Sequence, residues 1–208
     1  MNGLFSTEGK LYRGTSLLAD LIVLNLLFLL TSLPIFTIGA SLAALSDVTI
    51  KMARKEDPKT ARVYLASFKS NFRQATLSWL LILAVAALLT VNFSISRSAE
   101  ELTLLRIPLI VLAVLLAGVS IYVFPMIAVF SNPYWKTFRI SAVLALGYLP
   151  QTIIILIVSA LPFLLILGWT KALIGLFLGI VILFALAARI NAQLIWRIFK
   201  KWVPEEER

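Results

Sequence analysis

The chain has 208 residues, 61% hydrophobic and only 14% charged, with a mean hydropathy of +0.97; an ordinary globular domain is about a quarter charged, so a water-soluble fold is excluded for want of polar surface. Cysteine and histidine are both absent, which excludes disulfides, thiolate and imidazole metal sites, a cysteine nucleophile and a histidine base. The net charge of +9, from 19 Lys and Arg against 10 Asp and Glu, gathers at the ends of apolar runs, as expected of loops facing an anionic leaflet, and no nucleic-acid module accompanies it.

Lys10 and Arg13 precede a first apolar run over 17–36. It is longer than a signal peptide's core and lacks a cleavage site, so it reads as a retained span, broken by Pro34. The next run, 35–52, contains Asp47 and has about the minimum length for a crossing at 1.5 Å per residue. Four more follow at 77–93, 107–130, 140–169 and 172–196; Gly147, Pro150 and Pro162 interrupt the fifth and predict a tilt or kink there.

Loop charge decides whether 35–52 crosses. Six spans place sixteen basic residues on one side (Lys10 and Arg13, the seven between 51 and 73, Lys136 and Arg139, and five from Arg189 onward) against Arg97, Arg106 and Lys171 on the other. Five spans give fourteen and five, because Lys10 and Arg13 change sides. The positive-inside rule therefore favours six spans and cytoplasmic termini. Trp79, Trp135, Trp169, Trp196 and Trp202 fall near run ends, where amphipathic rings prefer the headgroup level. The expected fold is all-α: one integral membrane domain over 1–208, a polytopic bundle of about six transmembrane helices with short amphipathic cytoplasmic elbow helices.

The first elbow is the segment 62–79, where Tyr64, Phe68 and Phe72 recur four apart while Lys69 and Arg73 project elsewhere. This is an amphipathic helix with a basic face leading into a span, suited either to lying on anionic lipid or to docking a partner subunit. A smaller version recurs at 131–141, where Ser131 or Asn132 can cap, Pro133 suits the first turn, and Lys136 and Arg139 follow. Intramembrane polar residues are few: Asp20 and Asn25 in the first run, Asp47 in the second, Asn92 at an outer end, Gln151 in the fifth and Arg189 in the last. Each is costly unless paired or wetted, so each is a functional candidate; Asp47 has Lys51 one helical turn away, which points to structural pairing. Small residues four apart, Ala40 with Ala44, Ala113 with Ala117 and Gly175 with Gly179, permit close helix approach within the bundle or at an interface. Neither a phosphate-binding GxxxxGK[ST] loop nor a GxSxG elbow is present. No cofactor or metal site is expected, and no enzymatic activity.

Two motifs carry a family likeness. With Leu33-Pro34-Ile35-Phe36-Thr37-Ile38-Gly39-Ala40 and Ser67-Phe68-Lys69-Ser70-Asn71-Phe72-Arg73-Gln74-Ala75, the chain resembles the YesL-like family of bacterial membrane proteins of unknown function. Ser46-Asp47 stands where that family has aromatic residues, so Asp47 carries no shared role. Members are typically encoded beside carbohydrate ABC importers, so the resemblance implies a non-catalytic accessory or assembly subunit that binds importer permease subunits in the bacterial cell membrane. The Glu-Ala-Ala loop by which importer permeases dock their ATPase is missing from both elbows, which argues against a pore-forming permease. Tyr64, Phe68, Lys69, Phe72 and Arg73 are the expected contacts to partner or lipid, and the turn from Pro34 to Gly39 an expected hinge on the outer side. The alternative is a stand-alone small-solute transporter or channel.

Overall fold

A computed structural model of the chain describes residues 4–56, 58–98, 100–168 and 182–201. Every regular element among them is helical, as hydrocarbon requires, since an isolated helix is the one segment that satisfies its own backbone. Helix α1 spans Leu4–Ser32 and stops before Pro34, whose extended backbone leads into a 3-10 turn, Ile35–Thr37. Helix α2, Ile38–Ala53, ends in a Schellman motif: Lys55 takes φ 64, its N–H donates to the Met52 carbonyl, and the Glu56 N–H donates to that of Lys51.

Helix α3 is Thr60–Ser98. After a second 3-10 turn, Glu100–Leu105, come α4, Arg106–Val129, and α5, Tyr134–Gly147. Pro133 is the N-cap of α5 and no side chain caps it, so neither Ser131 nor Asn132 takes that role. Helix α6 is Leu149–Gly168 and α7 is Phe184–Phe199.

Among the described residues four stretches are long and apolar enough to cross a membrane, namely Thr15–Ser32, Ile35–Ala53, Thr60–Arg97 and Thr103–Val129, and a fifth if α5 and α6, bent by 102° at their junction, are counted as one span. The chain is thus an all-α, multi-pass membrane bundle. The run expected over 140–169 is this bent pair. Pro150 has no N–H to offer the preceding turn, and the Thr152 hydroxyl turns back to the carbonyls of Ala145 and Tyr148, at 3.2 and 3.0 Å. Of the sixth expected run, 172–181 lies outside the described residues, with Trp169, Lys171, Gly175 and Gly179, while its later part forms α7.

Helix α2 is the hub, packing against α1, α3, α4 and α7. Its small residues make that possible: Ala40, Ala43 and Ala44 are wholly buried, so the Ala40 and Ala44 pair works inside the bundle. Helices α2 and α3 run antiparallel from the tight connection at 54–59, and at their far end the Trp79 indole donates to the Ile35 carbonyl at 2.8 Å. Trp79 is thus half-buried at the level of the turn between α1 and α2. Its partner α2 is spent at that level, yet α3 continues for nearly twenty residues, its 39 residues rising about 58 Å against a hydrocarbon thickness of about 30 Å.

The elbow expected to lead into a span is thus the first half of α3, continuous with the run at 77–93. The two apolar runs 35–52 and 77–93 are offset along α3, not side by side. Beyond Trp79, α3 packs against α4 and the 3-10 turn that joins them, and among the described residues Leu88, Val91, Val111 and Val114 there are exposed, where only lipid or another apolar surface suits them. Arg62 and Lys69 are among the exposed residues of the first half. Single cysteines in this cysteine-free chain test the division: in membranes, Arg62→Cys and Lys69→Cys should react with a water-soluble maleimide, whereas Leu88→Cys and Val91→Cys should stay unlabelled until detergent is added.

Candidate functional site

Two regions concentrate unusual chemistry: a basic and aromatic surface where the two elbow sequences meet, and a cavity in the centre of the bundle. The surface is built on α3. Tyr64, Phe68 and Phe72 form an aromatic row, with ring centroids 6.5 and 5.5 Å apart, that passes from the interior to the outside. Tyr64 is 0% exposed and is not available for the partner or lipid contact its spacing suggested; Phe68 is half-buried and Phe72 is 37% exposed. The helical period adds a drift along the row: each four-residue step advances about 40° past a full turn, so the rings turn from the interior at Tyr64 toward the outside at Phe72. Lys69 and Arg73 are exposed beside Phe72, as is Leu65.

The second elbow lies against the first. Gln74 donates to the Asn132 carbonyl at 3.1 Å and the Tyr134 hydroxyl to the Leu77 carbonyl at 3.3 Å. Trp135, Lys136 and Arg139 are exposed there, so four cations, Lys69, Arg73, Lys136 and Arg139, are borne by elements joined at Gln74. None of the four makes an ion pair among the described residues.

The intramembrane polar residues are mostly committed to structure. Asn25 is fully buried and its Oδ1 accepts from the Ala185 N–H at 2.9 Å, meeting one of the donors that the first turn of α7 leaves unpaired. The Asp20 carboxylate accepts from the Thr60 hydroxyl at 2.7 Å, tethering the start of α3 to α1. Asp47 pairs with Lys51 at 3.1 Å. An Arg189 guanidinium N–H reaches the Met52 sulfur at 3.8 Å. Gln151 is half-buried in the first turn of α6, and Asn92 is exposed and bonds back to the Leu88 carbonyl. A knot missed from sequence lies above them: the hydroxyls of Tyr64 and Ser41 both meet the Thr31 hydroxyl, at 2.6 and 2.9 Å. Pro34 occupies the exposed turn beside it, while Gly39 lies within α2, where a Cβ would collide with the Ala75 carbonyl oxygen and the Trp79 Cβ. In this structure Gly39 serves close packing.

The cavity has a volume of about 680 Å³ and is walled by α1, α2, α4, α6 and α7, with Trp79 from α3. Its described walls are mainly Phe, Leu, Ile and Ala; the polar lining is Ser32, Ser46, Thr49, Ser120, Ser159 and Asn191, and among the described residues no charged one takes part. Sequence reading passed over Asn191, because an amide in an apolar helix carries no sign of whether it meets lipid, a neighbouring helix or a cavity. Among the described residues, no group of three or more acidic side chains is placed to hold a metal ion.

Residues 21–93 match the family described as "Protein of unknown function, DUF624", which is the YesL-like family; the match runs from α1 through most of α3. No curated protein and no solved structure matches the chain.

Two buried hydrogen bonds should be measurable as stability. Tyr64→Phe leaves the Thr31 knot one donor short and should cost about 1 kcal/mol, and Asn25→Leu, which strands the Ala185 N–H, about 1–3 kcal/mol. Gly39→Ala forces backbone apart and should cost about 1–3 kcal/mol, all read as lowered thermal midpoints of the purified protein in one detergent.

Proposed function

We propose that this protein is a non-catalytic accessory or assembly subunit of a carbohydrate ABC importer, held in the bacterial cell membrane with both termini cytoplasmic, and that it docks permease subunits through the surface around Gln74. The observation that carries the reading is the meeting of two basic elbows, in which Lys69, Arg73, Lys136 and Arg139 lack ion-pair partners among the described residues and stand beside the exposed Phe72 and Trp135. Exposed aromatic and Arg side chains are the types enriched at protein interfaces. Unpaired cations next to an anionic leaflet also draw lipid headgroups, each contributing about 1 kcal/mol, so lipid and partner would hold the same face. The likeness to the YesL-like family over 21–93 supports the importer as partner through the company that family keeps.

A stand-alone small-solute carrier is the second reading, and the 680 Å³ cavity is what favours it. A sugar carries a polar group on nearly every carbon, and walls with six polar side chains and no charge would leave most of them unpaired, so the accessory role is preferred.

Affinity purification from native membranes, quantified by mass spectrometry, tests the proposal. Importer permease subunits should be enriched over unrelated membrane proteins and fall about tenfold with Arg73→Glu and Lys136→Glu combined, a change worth about 1.4 kcal/mol. Absence of enrichment defeats the proposal. Solute flux by the purified protein in liposomes, lost in Asp20→Asn or Gln151→Leu, would establish the carrier instead.

A further inference from the structure

Glu205-Glu206-Glu207 is the one run of three consecutive carboxylates in the sequence. It follows α7 in the segment 202–208, which lies outside the described residues. Of the carboxylates whose contacts are described, Asp20 is engaged with Thr60, Asp47 with Lys51 and Glu56 with Arg54. The cations of the face around Gln74 have no such partner among the described residues.

The end of α7 sits against the connection that carries the second elbow. The Phe199 ring meets Phe130 edge-on, with centroids 5.3 Å apart, and Asn132, two residues on, accepts from Gln74. At the other end of α5 the Lys201 ammonium stands 5.6 Å from the centroid of the Tyr148 ring. Ile140 and Tyr148 pack on the core cluster that holds Ile198 and Phe199. Lys136 precedes Ile140 by four residues and so shares its side of the helix, which places this exposed cation on the flank where α7 ends.

Reach follows from chain geometry. Arg139 and Lys136 lie nine and twelve residues before Tyr148, about 13 and 18 Å along α5. Glu205 and Glu207 are four and six residues beyond Lys201, which an extended chain covers in about 14 and 21 Å. Pro204 offers no N–H to a helical turn and disfavours helix at Val203. That works against α7 continuing and keeping these carboxylates over its own Lys200 and Lys201.

We infer that Glu205, Glu206 and Glu207 lie on Lys136 and Arg139 when no partner is bound, covering the α5 half of the face around Gln74. The contact stands on reach and opposite charge; its role as a cover for a docking face rests on the accessory reading proposed above. An exposed ion pair contributes about 0.2–1 kcal/mol, so the cover is weak enough for a partner to displace, and salt weakens it further.

The test uses the full chain in nanodiscs of phosphatidylcholine, which carries no net charge to compete, and a carbodiimide that joins a carboxylate directly to a lysine amine. Unlabelled and nitrogen-15 chains reconstituted together let mass spectrometry separate links within a chain from links between chains. Links from Glu205, Glu206 or Glu207 to Lys136 should form within one chain. Their yield should fall about two- to fivefold at high salt or with Arg139→Gln, the range of one exposed ion pair, and stay unchanged with Lys69→Gln. Glutamine at all three glutamates should speed the reaction of Lys136 with a soluble amine-directed reagent by the same factor, relative to the exposed Lys55.

Links confined to Lys200 and Lys201 overturn the inference, as do links formed only between chains or a Lys136 reactivity indifferent to the three glutamates. Should a variant fail to accumulate, the links and their salt dependence in the unaltered chain decide alone. Neither readout involves an importer, so failure of the accessory reading leaves the contact standing, and a missing contact refutes the cover without touching that reading.

Discussion

Gly39 has no side chain, and the Ala75 carbonyl and Trp79 Cβ stand where one would be. That close approach sets the register between α2 and α3, and most of the architecture follows from it. With Gly39 held against Ala75 and the connection at 54–59 closing the other end, α2 covers only the first half of α3. In a bilayer, helices do not associate to escape water; they associate where small residues let backbones pack closely. Ala40, Ala43 and Ala44 extend the same surface toward α1, α4 and α7, which makes the smallest side chains the centre of the bundle. The uncovered half of α3 is left to α4, whose exposed apolar side chains then need lipid as solvent.

A second constraint acts through polar groups. Inside hydrocarbon every unpaired N–H or carbonyl costs several kcal/mol, and this chain meets the cost with single side chains at breaks in its helices. Asn25 serves the first turn of α7, Thr152 the bend after α5, and Thr37 the turn at Pro34, where its hydroxyl donates to the Pro34 carbonyl at 2.7 Å. The exceptions are then informative. Of the five buried side-chain atoms without a partner among the described residues, Ser32 Oγ and Asn191 Oδ1 belong to residues that line the central cavity.

Much of this was legible in the residues. The apolar runs announced a helical membrane bundle, Pro34 marked the end of α1, and Gly147 with Pro150 marked the bend in the fifth run. An amphipathic helix leading into a span was legible, but the length of α3 was not drawn from it: composition changes sharply near Trp79, from basic and amphipathic to uniformly apolar, and one helix runs across that change. Helix breaking, however, depends on Gly and Pro, and no residue of either type lies between Thr60 and Ser98; that signal was present and outweighed. Tyr64 was misplaced by the drift of a four-residue repeat. The cavity could not be read at all, since it is assembled from six helices distant in sequence, and the role of Asn191 exists only in that assembly.

The surface at Gln74 and the cavity depend on the same scaffold, an unbroken α3 with α2 seated on its first half. Ile35 and Ile95 are both exposed, Ile35 lies beside Trp79, and the helix from Trp79 to Ile95 rises about 24 Å. Spin labels at Ile35→Cys and Ile95→Cys, in a chain with no other cysteine, report that separation by electron paramagnetic resonance in nanodiscs. An unbroken, offset α3 predicts a distribution centred at or beyond about 24 Å. A centre close to the 8–10 Å (roughly) of directly packed helices would mean that the run at 77–93 folds back along α2, and would contradict the architecture.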